Sequence, residues 1–178
     1  MTKYVALLRG IAPTNPNMRN DKLRGVFEKL GFTNVITVIS SGNIVFESPS
    51  RNVKKLEETI EKALPEQLGF TSTTIIRSRK QLQQLANKKP FERMKHSQKS
   101  SLNVTFLKHR KKTDIKFPYK VDNRAYTLLA EYGGAICSVI DLTSSKTPDL
   151  MLWFEKKFGR EITTRTWKTV ERILKVMG

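Results

Sequence analysis

The chain has 178 residues, of which 33 are Lys or Arg and 16 are Asp or Glu, so its formal net charge at pH 7 is +17. This length suffices for one substantial hydrophobic core or two small ones, and no apolar run approaches the roughly 20 residues of a membrane-spanning helix. The charge favours a polyanionic partner and we expect no membrane partner. The single cysteine, Cys137, makes a cytoplasmic location the default expectation.

The first 77 residues alternate between strand and helix patterns. Four strands are predicted, at 4–8, 35–39, 43–47 and 73–77, and two helices, at about 19–30 and 52–64. Pro65 lies late in the second helix pattern and predicts a kink or a restart there. The order β-α-β-β-α-β is that of the ferredoxin-like fold, in which strands one and three are central and both helices lie on one face.

Residues 78–178 predict a second, smaller α+β half packed against the first. The fold class is therefore α+β, with a ferredoxin-like half at 1–77 and a second half at 78–178 that ends in a basic amphipathic helix. Its predicted elements are helices at 78–86, 147–158 and the C-terminal end, a strand at 102–107 and a hairpin at 125–130 and 135–142. Basic loops are predicted at 88–99 and 108–112, and a further loop at 113–123.

The last helix carries the pattern that bears most directly on function. Apolar residues recur at helical spacing and predict a buried face, at Trp167, Val170, Leu174 and Met177. Basic residues recur at the same spacing and predict a second stripe, at Arg165, Lys168, Arg172 and Lys175. Threonines ahead of the helix, at 163, 164 and 166, are candidate N-caps, and the first-turn N–H groups beside Arg165 would suit an anion. A capped helix with a solvated basic face explains the same residues.

Two further polar clusters flank the predicted first strand. Arg9 ends that strand, and Ser41 and Asn43 belong to the turn between strands two and three, where turn geometry alone explains the Gly and Asn residues. We expect this turn to lie at the end of strand one opposite Arg9, about five residues of strand away. On that expectation the two clusters do not share a small pocket.

Residues typical of metal or catalytic sites are few. His96 and His109 lie in separate basic loops and Cys137 lies among apolar residues, so we predict no metal site and no cofactor. Glycine-rich nucleotide motifs are absent from the sequence, and no catalytic constellation is evident, so whether the protein is an enzyme stays open. Phe46 is in phase with Ile44 toward the helices, which disfavours an RNA-recognition sheet with exposed aromatic residues.

Several segments, in chain order, resemble the signature segments of domain-of-unknown-function family 1697. They are 4–11, 30–32, 35–46, 90–91 and 163–170. The resemblance implies a two-part α+β fold with a ferredoxin-like first half and implies no activity. This chain departs from the family pattern by having Ala-Pro-Thr-Asn at 12–15 in place of Asn-Val-Gly-Gly, Ser40 in place of Gln, and Thr166 in place of Asn. The family-typical polar residues that it retains are Arg9, Ser41, Asn43, Thr164, Arg165 and Thr169.

Two functions from different classes are compatible with these patterns. The first is a module that binds nucleic acid or another polyanion through basic helices and loops without base readout. The second is an enzyme or binding protein for a small anionic ligand that carries a phosphate or carboxylate, with Arg165 and a helix N-terminus as its site. The candidate residues for the two functions together are Arg165, Lys168, Arg172, Lys175, Thr164, Arg9, Ser41 and Asn43. The sequence does not indicate the oligomeric state.

Overall fold

The computed structural model describes residues 1–109, 112–121, 125–144 and 147–178. They form two compact units, one made of residues 1–82 together with 171–178 and the other of residues 83–170. Each unit contains an antiparallel sheet, so the fold is α+β as predicted. Two residues of the predicted basic loop at 108–112, Arg110 and Lys111, and two of the predicted loop at 113–123, Asp122 and Asn123, lie outside the described residues.

The first unit contains a four-stranded sheet and two long helices. Its elements in chain order are β1 (Thr2–Leu8), a short 3-10 helix (Pro16–Met18), α1 (Asn20–Lys29), β2 (Thr33–Thr37), β3 (Asn43–Ser48), α2 (Val53–Leu68), β4 (Thr74–Ser78), the start of α3 (Arg79–Asn87) and the end of the last helix, α5 (Trp167–Met177). The strand order is β2-β3-β1-β4 with every neighbouring pair antiparallel. This confirms the prediction that the first and third strands are central.

Both helices of the first unit pack on one face of its sheet. Tyr4, Ala6 and Leu8 of β1 contribute to a core with buried residues of α1 and α2. Phe46 of β3 belongs to the same core, and its ring centroid lies 5.4 Å from that of Phe27 on α1. The prediction that Phe46 faces the helices is therefore confirmed. Residues on the other face of the sheet, such as Val5 and Leu7, are buried as well.

Helix α2 differs from its prediction at Pro65. The helix runs without a break from Val53 to Leu68 with Pro65 inside it, and Gly69, at φ 76°, ends it in the left-handed conformation. The helix therefore does not restart at Pro65, and a kink at that residue stays a prediction. An interior proline costs about 3 kcal/mol, but Leu64 before it is buried and Leu68 after it packs on the core. Packing on both sides of the proline keeps the last turn helical.

The second unit is built around a five-stranded sheet. Its elements are β5 (Ser100–Leu107), β6 (Tyr119–Lys120), β7 (Tyr126–Tyr132), β8 (Ala135–Asp141), α4 (Thr147–Phe158), β9 (Ile162–Thr166) and the start of α5 (Trp167–Met177). The strand order is β6-β7-β8-β5-β9. The hairpin predicted about Gly133 and Gly134 is present, and both glycines have positive φ.

Two strands of the second unit were not predicted. The short β6 lies inside the stretch predicted as a loop, and β9 lies inside the stretch predicted as the approach to the last helix. Helix α4 covers one face of the sheet with the buried side chains of Leu150 and Phe154. None of the helices in the described ranges combines the length and the apolarity that a bilayer crossing requires.

Candidate functional site

Arg165 lies in the strand β9 and is not part of the basic stripe of the last helix. Arg165 pairs in register with Val104 of β5, and only 9% of the surface of Arg165 is exposed. The guanidinium donates hydrogen bonds to the Thr163 hydroxyl at 2.6 Å and to the Thr164 carbonyl at 2.9 Å. Burial lowers the pKa of Arg165 to about 10, so the side chain is still charged at pH 7. The expectation that Arg165 leads an exposed stripe is wrong, because the strand turns it into the protein.

The threonines around Arg165 have separate roles. The hydroxyl of Thr164 shares a 2.8 Å hydrogen bond with Thr105 on the neighbouring strand and donates to the Met151 sulfur at 2.7 Å. Thr166 precedes α5, and its hydroxyl accepts a hydrogen bond from the Thr169 N–H at 3.3 Å. Of the three candidate N-caps, Thr166 is therefore the one that caps the helix. The Thr169 N–H, one of the first-turn groups that would suit an anion, is therefore already hydrogen-bonded within the protein.

Helix α5 presents a basic face to solvent. Lys168, Arg172 and Lys175 recur at i, i+4 and i+7, and all three are exposed. Within the described part of the chain none of the three forms an ion pair. Glu171, also exposed, is the one acidic residue of the helix. The three cations are therefore available to an external anion.

The apolar face of α5 is only partly as predicted. Val170, Ile173 and Met177 are buried, whereas Trp167 and Leu174 are half-buried. The Trp167 ring packs against Phe91, with 5.3 Å between the ring centroids. The buried face of α5 is therefore centred on Val170, Ile173 and Met177. Trp167 is only partly covered because it is the first residue of the helix.

The last turn of α5 is held by two cations that the sequence did not single out. The Lys3 ammonium on β1 donates to the Met177 carbonyl at 2.9 Å, and the Arg79 guanidinium on α3 donates to the Gly178 carbonyl. Positive charge at a helix C-terminus is stabilising because it offsets the negative end of the helix dipole. No local pattern marks Lys3 or Arg79, since each lies more than 95 positions from the carbonyl it meets.

Arg9 and the turn between β2 and β3 lie at the same end of the first sheet. Asn43 pairs in register with Leu7, and the Leu8 N–H donates to the Gly42 carbonyl at 2.8 Å. The expectation that Arg9 and this turn lie at opposite ends of the first strand is wrong. Because β3 is antiparallel to β1, the first residue of β3 lies beside the last residues of β1.

The polar residues of this turn hold the turn itself. The Asn43 side chain is 1% exposed and donates to the Val38 carbonyl at 3.0 Å and to the Ser41 hydroxyl at 2.9 Å. The Arg9 carbonyl accepts a hydrogen bond from the Ser72 hydroxyl at 2.7 Å. The Asn43 contacts agree with the interpretation that turn geometry explains the Gly and Asn residues, and they also engage Ser41.

A strained residue stands in the same turn. Ile39 has φ 59°, which is rare for a β-branched residue, and 41% of its surface is exposed. Its carbonyl accepts a hydrogen bond from the Asn20 side chain at 3.1 Å. This conformation ends the extended segment early, so β2 stops at Thr37 and not at Ile39, where the sequence pattern ends.

Comparison with known proteins places the chain in a family. The family model described as "Protein of unknown function (DUF1697)" matches residues 1–126. The chain belongs to the DUF1697 family. The structure is similar to that of the conserved bacterial protein SP0830 from Streptococcus pneumoniae, with a TM-score of 0.66 and 20% sequence identity over 99% of each chain. No curated protein matches the sequence. The shared structure shows a common fold, and the family description assigns no activity.

The described residues of this DUF1697 protein bring no group of three His, Cys, Asp or Glu side chains together in a way that could hold a metal ion. His109 instead contacts Glu161 across the strand ends. Cys137 is fully buried in β8.

We expect Cys137 to be unreactive in the native protein. Burial raises the pKa of its thiol to about 12, well above the ordinary value of about 8.5, so the reactive thiolate is scarcely populated at pH 8. Ellman's reagent at pH 8 should release no thionitrobenzoate from the folded protein and about one equivalent in concentrated urea. Rapid reaction of the folded protein would contradict the buried position of Cys137.

Proposed function

We propose that this DUF1697 protein binds nucleic acid, or another polyanion, through the basic face of α5 formed by Lys168, Arg172 and Lys175. The observation that carries the proposal is that these three side chains are exposed in one row and form no ion pair with the described residues. The seven residue steps from Lys168 to Lys175 extend about 10 Å along the helix, which corresponds to the axial rise of about three base pairs of duplex DNA. The net charge of +17 supports a polyanionic ligand.

Contacts of this kind recognise the phosphate backbone and not the bases. Lysine and arginine on an exposed helix face supply point charges and guanidinium groups for phosphate oxygens. The first sheet offers no aromatic platform on β3, because Phe46 faces the helices, and the other central strand, β1, is buried on both faces. We therefore propose binding that tolerates different sequences and depends strongly on salt.

The alternative site, for a small anion at Arg165, has less support. The guanidinium is buried and donates to Thr163 and Thr164, and Thr166 already accepts the N–H of Thr169. A ligand at this position would have to displace hydrogen bonds made within the protein. The exposed face of α5 requires no such displacement.

The test is the salt dependence of oligonucleotide binding. With about five phosphate contacts, log K against log salt should have a slope of about −4.5 on duplex DNA and about −3.5 on single strands. The variant Lys168→Gln/Arg172→Gln/Lys175→Gln should reduce the slope on duplex by about 2.7, or about 0.9 for each lost contact. Fluorescence anisotropy with labelled oligonucleotides between about 50 and 200 mM salt measures both slopes.

A matched control separates this helix face from net charge alone. Lys22→Gln/Arg24→Gln/Lys29→Gln removes two lysines and one arginine from exposed positions on α1, and so changes the net charge by the same amount. The control should retain the wild-type slope. Equal effects of the two triple variants would contradict a footprint on α5, and no binding of either oligonucleotide at about 50 mM salt would overturn the proposal altogether.

A further inference from the structure

A cavity of about 670 Å³ opens in the second unit where β5 and α4 end and β9 begins. Leu107 and Ile162, which pair in register between β5 and β9, are buried and form its apolar floor. Phe158, the last residue of α4, is half-buried beside them and stacks on Phe154 with 6.0 Å between the ring centroids. The volume lies within the range of small-molecule sites, about 300–1,000 Å³.

The charged residues at the rim favour an anion over a cation. Both rim carboxylates already have cationic or hydrogen-bonding partners, since Asp114 lies 3.3 Å from the Lys157 ammonium and Glu161 contacts His109. Lys112 also lines the cavity, and no carboxylate of the described residues lies within 4 Å of its ammonium. A cation entering the cavity would compete with existing ion pairs, whereas an anion would meet an ammonium without one.

We propose that this cavity binds a small anion that carries a flat aromatic ring. The ring would lie on Phe158 and on the apolar floor of Leu107 and Ile162, since aromatic faces stack and exclude water. The anionic group would lie at Lys112. Nucleoside monophosphates and aromatic carboxylates share this chemistry. The site uses none of the basic residues of α5, so it does not depend on the function proposed above.

Four probes test the ligand class by isothermal titration calorimetry. Adenosine 5′-monophosphate has both ring and charge, adenosine has the ring alone, inorganic phosphate has the charge alone, and benzoate combines a ring with a carboxylate. We expect at least one of the two ring-bearing anions to bind at least about tenfold more tightly than adenosine and phosphate. Preference for the monophosphate would identify a phosphate ligand, and preference for benzoate a carboxylate ligand. Failure of both anions to bind at millimolar concentration would overturn the proposal.

Two substitutions test the position of the site. Lys112→Gln should weaken binding of the preferred anion about tenfold or more, because a hydrogen-bonded charge is lost. Lys116→Gln, an exposed lysine that does not line the cavity, should leave binding unchanged. Phe158→Leu should weaken the binding of the anion and of adenosine alike, because both would stack on the Phe158 ring. Equal affinities of the Lys112 and Lys116 variants would contradict the proposed site, even if Phe158→Leu alters the stability of the fold.

The result is separable from that of the oligonucleotide experiment. The triple variant of α5 should bind the small anion with the wild-type affinity. Lys112→Gln should change the oligonucleotide salt slope by no more than about 0.9, the value for one phosphate contact. If the triple variant abolishes binding of the small anion, the anion binds on α5 and the cavity assignment is wrong.

Discussion

Replacement of Gly42 by alanine is expected to destabilise the protein by about 2–5 kcal/mol. Gly42 has φ 77°, where an added Cβ costs about 1–2 kcal/mol. The same Cβ would lie 2.6 Å from the Ile11 side chain, 3.0 Å from Leu8 Cβ and 3.1 Å from the Leu8 carbonyl oxygen. Such overpacking typically costs a further 1–3 kcal/mol, roughly, because strand β1 cannot move without disturbing its neighbours. Urea unfolding gives the free-energy difference.

Gly10→Ala is the matched control for this substitution. Gly10 has a similar φ of 74°, but a Cβ built on it meets no atom within 4 Å. Its replacement should therefore cost only the conformational part, about 1–2 kcal/mol. If Gly42→Ala costs no more than Gly10→Ala, the close approach of the turn to β1 is not important for stability, and conformational preference alone explains the glycine.

Arg165→Ala is the second substitution with a large expected effect. It should cost about 2–3 kcal/mol of unfolding free energy, since it leaves the Thr163 hydroxyl and the Thr164 carbonyl without their buried donor. Part of that loss is offset, because burying the guanidinium is itself unfavourable, as its lowered pKa of about 10 indicates. The oligonucleotide salt slope should stay at its wild-type value, because the side chain is buried.

The two measurements on Arg165 distinguish a structural role from a binding role. Arg165→Lys keeps the charge but loses the planar guanidinium that meets Thr163 and Thr164 together, so it should also lose stability. If the role of Arg165 is structural, Arg165→Ala lowers the free energy of unfolding and leaves the oligonucleotide salt slope unchanged. A slope reduced by about 0.9 in Arg165→Ala, with stability unchanged, would show that Arg165 contacts a phosphate and that its position in β9 is misassigned.

Regular elements with strong periodicity were predictable from the sequence. The run 4–8 is apolar on both faces, as a central strand must be, and β1 lies between β3 and β4. The helix predicted at 78–86 is also confirmed as α3. A capping box begins it, since the Ser78 hydroxyl accepts from the Gln81 N–H while the Gln81 side chain accepts from the Ser78 N–H. In these cases the information lies within a few residues of the element.

The candidate site was less predictable, because its geometry depends on strand pairing. Residues 162–166 contain threonines that also suit a helix N-cap, and only pairing with β5 makes them a strand. That pairing buries Arg165, which the sequence pattern had joined to Lys168, Arg172 and Lys175. Helical spacing does not reveal where a helix begins. The predicted stripe therefore includes Arg165, which lies before Trp167, the first residue of α5.

By itself the sequence determined the net charge of the protein, the α+β order of elements and the exposed row of Lys168, Arg172 and Lys175 on α5. Each of these follows from composition or from a period of two or 3.6 residues. Only the tertiary structure decided that Arg9 lies at the same end of the sheet as the turn at 38–43, and that Leu107, Phe158 and Ile162 share a cavity. These placements join residues that are distant along the chain, and contacts of that kind depend on strand register and packing, for which no local pattern exists.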